Sequence, residues 1–270
     1  MTSQDWQLAN DAAMNYQTVL VPAILGPFAE ALVEWADIDA GTIVVDVGCG
    51  TGAATRFAAK KAGKDGTVIG TDVNRAMIAV AESLPQVDGA QIVYRQESAD
   101  ALSADSNSVD AVFCAQALQF MKAKQVALAE MHRVLKTDSK VYVSLWCAID
   151  ESPYFDALVN TIAKHISDDT AAGLRSAFQW SDLEEITKTI EDAGFTQVDS
   201  TISTLNLRFT GFRAFVPHHI RATPMSKGFD AVNEVIQSTI VEEMVSLLDA
   251  YIVDDVCTVP FRSYLISGTK

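Results

Sequence analysis

Val44-Val45-Asp46-Val47-Gly48-Cys49-Gly50-Thr51-Gly52 is the stretch from which the rest of the chain can be read. The β-branched run Ile43 to Val47 predicts a strand buried on both faces. It leads without a spacer into three alternating glycines, and Ala53 to Ala62 then carries apolar residues at helical spacing. The unit is therefore strand, tight turn, helix. Glycines supply positive φ and let a ligand approach the backbone with no Cβ between. The young helix is expected to aim its free N–H groups at whatever lies in the turn.

Two ligand classes use such a turn. Gly48-x-Gly50-x-x-Ala53 fits the dinucleotide fingerprint, with Asp72 at about the expected twenty-residue distance. Asp46, however, sits at the strand's end beside the mouth of the loop, where a carboxylate repels a pyrophosphate and suits an ammonium group. S-adenosylmethionine carries an adenosyl ribose at one end and an amino-acid ammonium at the other. The run Asp46-Val47-Gly48-Cys49-Gly50-Thr51-Gly52 resembles motif I of the class I S-adenosylmethionine-dependent methyltransferases, closely over residues 40–147 and more loosely from 181. The resemblance implies an α/β fold with a seven-stranded, mostly parallel, doubly wound sheet. Its last strand is antiparallel and slots between the fifth and sixth, and helical insertions form a cap. An NAD(P)-dependent oxidoreductase is the alternative enzyme, though no Tyr-x-x-x-Lys pair supports it. A non-catalytic subunit that only binds S-adenosylmethionine is the other.

The 270 residues are 49% hydrophobic, enough for one large domain with insertions. Thirty-five acidic residues against 20 basic give a net charge of −15, which disfavours nucleic acid and anionic membranes as partners. Four scattered cysteines without a Cys-x-x-Cys pair argue against structural zinc and a disulfide framework, and read as small core residues. No secretion signal is seen, and no apolar run reads as long enough to cross a bilayer. These features predict a cytoplasmic monomer or homodimer acting on a small molecule, with no metal.

The expected organisation is an N-terminal helical lid (1–40), a cofactor-binding core (41–147), a helical cap insertion (148–180), and a C-terminal part of the sheet (181–270) with a helical insertion at 211–255. Helix is expected from Trp6 to Ala36, broken near Pro22 and Pro27, then over Val126 to Leu135, Trp180 to Ala193, Phe212 to Pro224 and Lys227 to Asp254. Strands are expected at Thr67–Asp72, Ala90–Arg95, Ser108–Cys114, Lys140–Cys147, Thr196–Phe209 and Thr258–Ser267. The last is placed near an edge because Pro260 lacks a donor.

The resemblance also assigns candidate residues. Besides Asp46, the turn contributes Gly48, Cys49, Gly50 and Gly52. Asp72 is the ribose ligand, Val73 and Met77 pack on adenine, and Tyr16 closes over the methionine end. Ser98 stands where an aspartate is common beside the adenine amino group. Either Ser98 with the Ala99 N–H suffices, or Glu97 or Asp100 takes over. Cys114 and Gln116 border the cofactor after the fourth strand, and Gln119 and Trp146 face the acceptor. Methyl transfer is an in-line displacement that needs alignment and exclusion of water rather than a covalent enzyme intermediate. An oxygen acceptor benefits from a general base, a neutral amine does not require one, and His218 or His219 is the candidate base or substrate ligand.

Overall fold

The β-branched run forms β1 (Ile43–Val47), whose Val44, Val45 and Val47 are fully buried. Val45 and Val47 pack on one face of a central sheet and Val44 on the other. The computed structural model describes residues 10–270; Trp6, the expected start of the first helix, lies outside them. The other strands are β2 (Thr67–Asp72), β3 (Gln91–Gln96), β4 (Val109–Ala115), β5 (Leu135–Trp146), β6 (Thr196–Thr210), β7 (Ile252–Val253) and β8 (Val256–Thr269). Their order is β3-β2-β1-β4-β5-β8-β6, with β7 paired to β8. Every pairing from β3 to β5 is parallel, and β8 runs antiparallel between β5 and β6 as expected. The two-residue β7 is an addition to the seven expected strands.

Three helices precede β2: α1 (Asn10–Asn15), α2 (Gly26–Trp35) and α3 (Ala53–Ala62). Next come α4 (Arg75–Ser83), α5 (Lys124–Val134), α6 (Pro153–His165), α7 (Asp168–Arg175) and α8 (Leu183–Asp192). The last three are α9 (Phe212–Arg221), α10 (Ser226–Ala231) and α11 (Glu234–Leu247). Leu128 and Met131 of α5 with Ile186 and Ile190 of α8 cover one sheet face. Leu32, Val33, Ala58 and Ala59 of α2 and α3 cover the other. The chain leaves β1 toward β2 on one side and reaches β4 on the other, so the loops after β1 and β4 open a crevice at a topological switch point.

Five expectations need correction. The N-terminal helix is not broken at Pro22 and Pro27. A π-helical stretch, Tyr16–Leu25, contains Pro22 and joins α1 to α2, where Pro27 sits harmlessly in the first turn. The resulting run Ala12–Trp35 is long and apolar enough, by length and composition, to cross a membrane, contrary to the expectation; here Ile24, Phe28 and Leu32 pack within the protein. Next, β8 is internal rather than an edge strand. Its partner β5 stops at Trp146, opposite Ser263, while β8 begins at Val256. The Arg262 N–H, two residues from Pro260 and so on the same side, donates to Ser152 Oγ in the loop beyond β5. Pro260 thus lacks its donor where β5 offers no acceptor.

Two helix boundaries also shift. Asp182 caps α8 through the N–H groups of Glu184 and Glu185, so the helix starts after Trp180 rather than at it. Asn233 caps α11 through the Ile236 N–H, dividing the long helix expected over Lys227 to Asp254.

Beyond the end of β5, β6 and β8 continue as a two-stranded arm from Leu205↔Phe261 to Thr210↔Val256. Phe209, Val259 and Phe261 on this arm bury against α6, α7, α9, α10 and α11, which form the cap. Phe261 lies edge-on to Phe155 with centroids 4.9 Å apart. Phe261→Ala should therefore destabilise the protein by about 3–5 kcal/mol. Urea unfolding is the measurement, and a loss under about 1 kcal/mol would show that cap and sheet are not packed as one core.

Candidate active site

The three turn glycines all have positive φ, +71° at Gly48, +55° at Gly50 and +85° at Gly52. At Gly48 a Cβ would lie 2.6 Å from that of Ala117, so the turn also packs too closely against the loop after β4 for any other residue. Four of the turn's N–H groups are already taken within the protein. Those of Gly48 and Cys49 donate to Thr71 O at 2.8 and 2.9 Å, Gly52 to Cys49 O at 2.8 Å, and Gly50 to Asp72 Oδ2 at 2.9 Å. A pyrophosphate cradle requires several such groups open and no carboxylate among them. The turn presents the opposite.

A cavity of about 390 Å³ opens over this turn, within the range of about 300–1,000 Å³ usual for ligand sites. Its wall includes Tyr16, Gly48, Gly50, Asp72, Val73, Met77, Ser98, Ala99, Gln116, Trp146 and His219. The fold thus brings together eleven of the candidates. Asp46, Cys49, Gly52, Cys114, Gln119 and His218 do not line it. Cys49 and Cys114 are buried in the core, His218 is exposed, and the Gln119 amide donates weakly to Gln116 Oε1 at 3.4 Å.

Asp72 Oδ1 accepts from the Asn74 N–H at 2.8 Å, which together with the Gly50 bond fixes the carboxylate at the end of β2. Each oxygen keeps a second lone pair. Burial raises the Asp72 pKa, opposed by these two donors. Asp46 lies behind the turn with no exposed surface. Its Oδ2 accepts from Thr55 Oγ1 at 2.6 Å at the start of α3, a favourable place for a carboxylate, while Oδ1 has no partner. Burial pushes Asp46 up to about 6, with Thr55 pulling the other way and the Asp72 charge adding to the rise.

The adenine side shows how the missing aspartate is and is not replaced. Glu97 lies on the rim, but its carboxylate is engaged there, accepting both the backbone N–H and the hydroxyl of Ser103. Ser98 and Asp100 are exposed at the rim. Val73 is 54% exposed there, an apolar side chain left open to the cavity. Gln116 holds a left-handed backbone at φ +52°, uncommon for a non-glycine residue. Its amide donates to Ser263 Oγ at 2.8 Å, and its N–H donates to Ser144 O at 3.0 Å.

Sequence reasoning missed the cap side of the wall, where Phe155, Leu174, Ala177 and Thr223 meet Leu20 and Ile24. Phe155, Leu174 and Ala177 come from Ala148 to Gln179, a segment with no motif to read, and Thr223 from the turn after α9. Trp146 stands between Phe28 and Phe155, with ring centroids 4.9 and 5.4 Å away.

Residues 44–138 match a family model described as a methyltransferase domain. The ubiquinone/menaquinone biosynthesis C-methyltransferase UbiE of Chromobacterium violaceum is 31% identical over 173 residues, 60% of this chain and 70% of that protein. The chain belongs to the class I S-adenosylmethionine-dependent methyltransferases. UbiE of Neisseria meningitidis serogroup C is 32% identical over 175 residues, 61% of this chain and 71% of the relative. Two solved structures share the fold at 17% identity. The YcgJ protein of Bacillus subtilis has a TM-score of 0.57 over 90% of this chain and 98% of its own. Haemonchus contortus phosphoethanolamine N-methyltransferase 2, in complex with phosphomonomethylethanolamine and S-adenosylhomocysteine, has 0.61 over 99% of this chain and 58% of its own. The methyltransferase uses S-adenosylmethionine as its cofactor, and the dinucleotide alternative falls away with the closed turn.

The raised carboxyl of Asp46 makes the ligand-free methyltransferase pH-sensitive. A folded-state value above the ordinary 3.8 gives stability that is complete below pH 3.8 and lost as pH rises through 6. Between pH 4 and 7 the wild type should lose about 2–3 kcal/mol relative to Asp46→Asn. Urea unfolding of both proteins across that range is the check, and parallel curves would place the Asp46 carboxyl near its ordinary value.

Proposed function

We propose that this enzyme methylates a small, largely apolar, ring-bearing metabolite, and that the acceptor atom is a carbon. The observation that carries this reading is the apolar character of the cavity beyond the turn: Leu20, Ile24, Phe120, Trp146, Phe155 and Leu174 leave room for a ring, and the lining carboxylates Asp72, Glu97 and Asp100 lie on the cofactor side. An amine would become a cation on methylation, and among the described residues no carboxylate lines the cap side to receive it. A hydroxyl acceptor calls for a base near neutrality. Burial instead pushes His219 down to about 3, far below the range of a working base. A carbon activated by an enolate or ring-attached oxyanion becomes neutral on methylation and needs neither, which favours carbon over the oxygen or nitrogen acceptor expected from the sequence. The relatives named as C-methyltransferases support the same choice.

The residues suit the cofactor. Asp72 has lone pairs left for the ribose hydroxyls, and Val73 with Met77 offers an apolar flank for adenine. Ser98, the Ala99 N–H and exposed Asp100 lie within the same rim for its amino group. Gly48 and Gly50 leave the backbone bare, and Tyr16 stands over Gly50, its hydroxyl 3.5 Å from where a Cβ would be. The buried acids Asp46 and Asp72 favour a cation nearby. When bound, S-adenosylmethionine supplies a methyl carbon on a positive sulfur, and the new carbon–methyl bond forms as sulfur takes the old bonding pair. The protein's part is to hold the acceptor in line, with Trp146, Phe155 and Ile24 excluding water. The methylated carbon then releases its proton to solvent.

Calorimetry tests the cofactor site directly. S-adenosylhomocysteine should bind and NADP should not. Asp72→Ala should weaken S-adenosylhomocysteine by about 1–3 kcal/mol through unpaired ribose hydroxyls. Unchanged affinity would remove Asp72 from the site.

A further inference from the structure

Tyr154 and His219 are a polar pair sunk in the aromatic cap. Tyr154, on α6, is fully buried, with Phe155, Phe209, Phe212, Phe215 and Phe261 around it at centroid distances of 5.5 to 6.1 Å. Its hydroxyl has one hydrogen-bond partner among the described residues, Nδ1 of His219 at 2.5 Å. A buried hydroxyl must give its proton to an acceptor or leave a donor unpaired, which folded proteins rarely tolerate. Burial raises the Tyr154 phenol, so it keeps that proton. Phenyl rings offer no lone pair. Tyr154 therefore donates and His219 Nδ1 accepts, and in a neutral imidazole the ring proton must then sit on Nε2.

His219 is only 1% exposed, yet it lies on the cavity wall, and among the described residues Nε2 has no protein partner. Its neighbour on the wall, Thr223, has already given its hydroxyl proton to Ile220 O at 2.7 Å. We propose that His219 orients the methyl acceptor through an Nε2–H donor whose position Tyr154 fixes. The enzyme then selects apolar ring compounds that carry a hydrogen-bond-accepting oxygen, such as a carbonyl, an ether or a ring-attached oxyanion. This rests on the reading of the cap side as the acceptor site. It gives His219 the role of a substrate ligand and removes it as a base, because one ring nitrogen is engaged by Tyr154 and the other is already protonated. Tyr154 is a positioning residue that acts through His219.

The tautomer can be read without any substrate. Long-range proton–nitrogen correlation spectra of the full-length protein, labelled with 15N-histidine and saturated with S-adenosylhomocysteine, should show His219 as the Nε2–H form at pH 7, with His219→Gln assigning the signal. An Nδ1–H form or an imidazolium would overturn the proposal. In Tyr154→Phe both neutral forms should appear, while S-adenosylhomocysteine affinity stays within about twofold; a spectrum unchanged from wild type would remove Tyr154 from its role.

For the ligand class, 1-tetralone offers a carbonyl and no donor, and tetralin is its counterpart without the oxygen. The ratio of their affinities, followed by tryptophan fluorescence, should fall about five- to tenfold in His219→Phe. An unchanged ratio would overturn the donor role. Absence of S-adenosylhomocysteine binding in the wild type would instead strike the cofactor assignment and leave the tautomer result standing.

Discussion

The Asp72 carboxylate, accepting the N–H groups of Gly50 and Asn74, is the constraint on which the site depends. It ties the tip of the glycine turn to the end of β2 and, with Thr71 O, uses up the donors that a phosphate would need. The same act that shapes the turn therefore chooses its ligand. A turn closed by its own acid presents lone pairs rather than N–H groups, and lone pairs suit hydroxyls and cations. Asp46, immobilised behind it by Thr55, adds negative character without touching the cavity.

The core of the fold was legible because two periodicities and a set of glycines sufficed. β1 and β2 match their sequence boundaries, since β-branched runs bounded by turn residues leave no helical alternative. β5 begins five residues before the expected Lys140, because Lys136-Thr137-Asp138-Ser139 reads as a loop. Those residues extend the strand through a register shift against β4, with Asp138 at φ +64°. The candidate site was legible where chain neighbours make it, along the turn, β2 and the loop after β3. It was illegible where distant segments meet. Tyr154 and His219 are 65 residues apart, and nothing in local spacing announces that their side chains share a proton. Asp46 misled for a related reason: its place in the motif is plain, but only the packed structure tells which way a strand-end carboxylate faces.

The cap explains why the chain devotes so many residues to a reaction that needs no nucleophile from the enzyme. Strands β6 and β8 outrun β5, and their exposed apolar ends need cover that the sheet's own helices do not supply. Helices α6, α7, α9, α10 and α11 meet that need and, in doing so, raise the far wall of the cavity. The cavity's far wall is thus an outgrowth of core packing, and it lies in the part of the chain least like motif I.

The helical rod from Asn10 to Trp35 places two obligations on one length of chain. Phe28 and Leu32 on its C-terminal part are locked into the interior, whereas Tyr16, Leu20 and Ile24 on its π-helical part face the cavity. Removing or adding a single residue between Tyr16 and Leu25 would rotate everything before it relative to the anchored end. Tyr16 and Leu20 would then swing away from the cavity, a constraint on the length of this rod that its composition does not share.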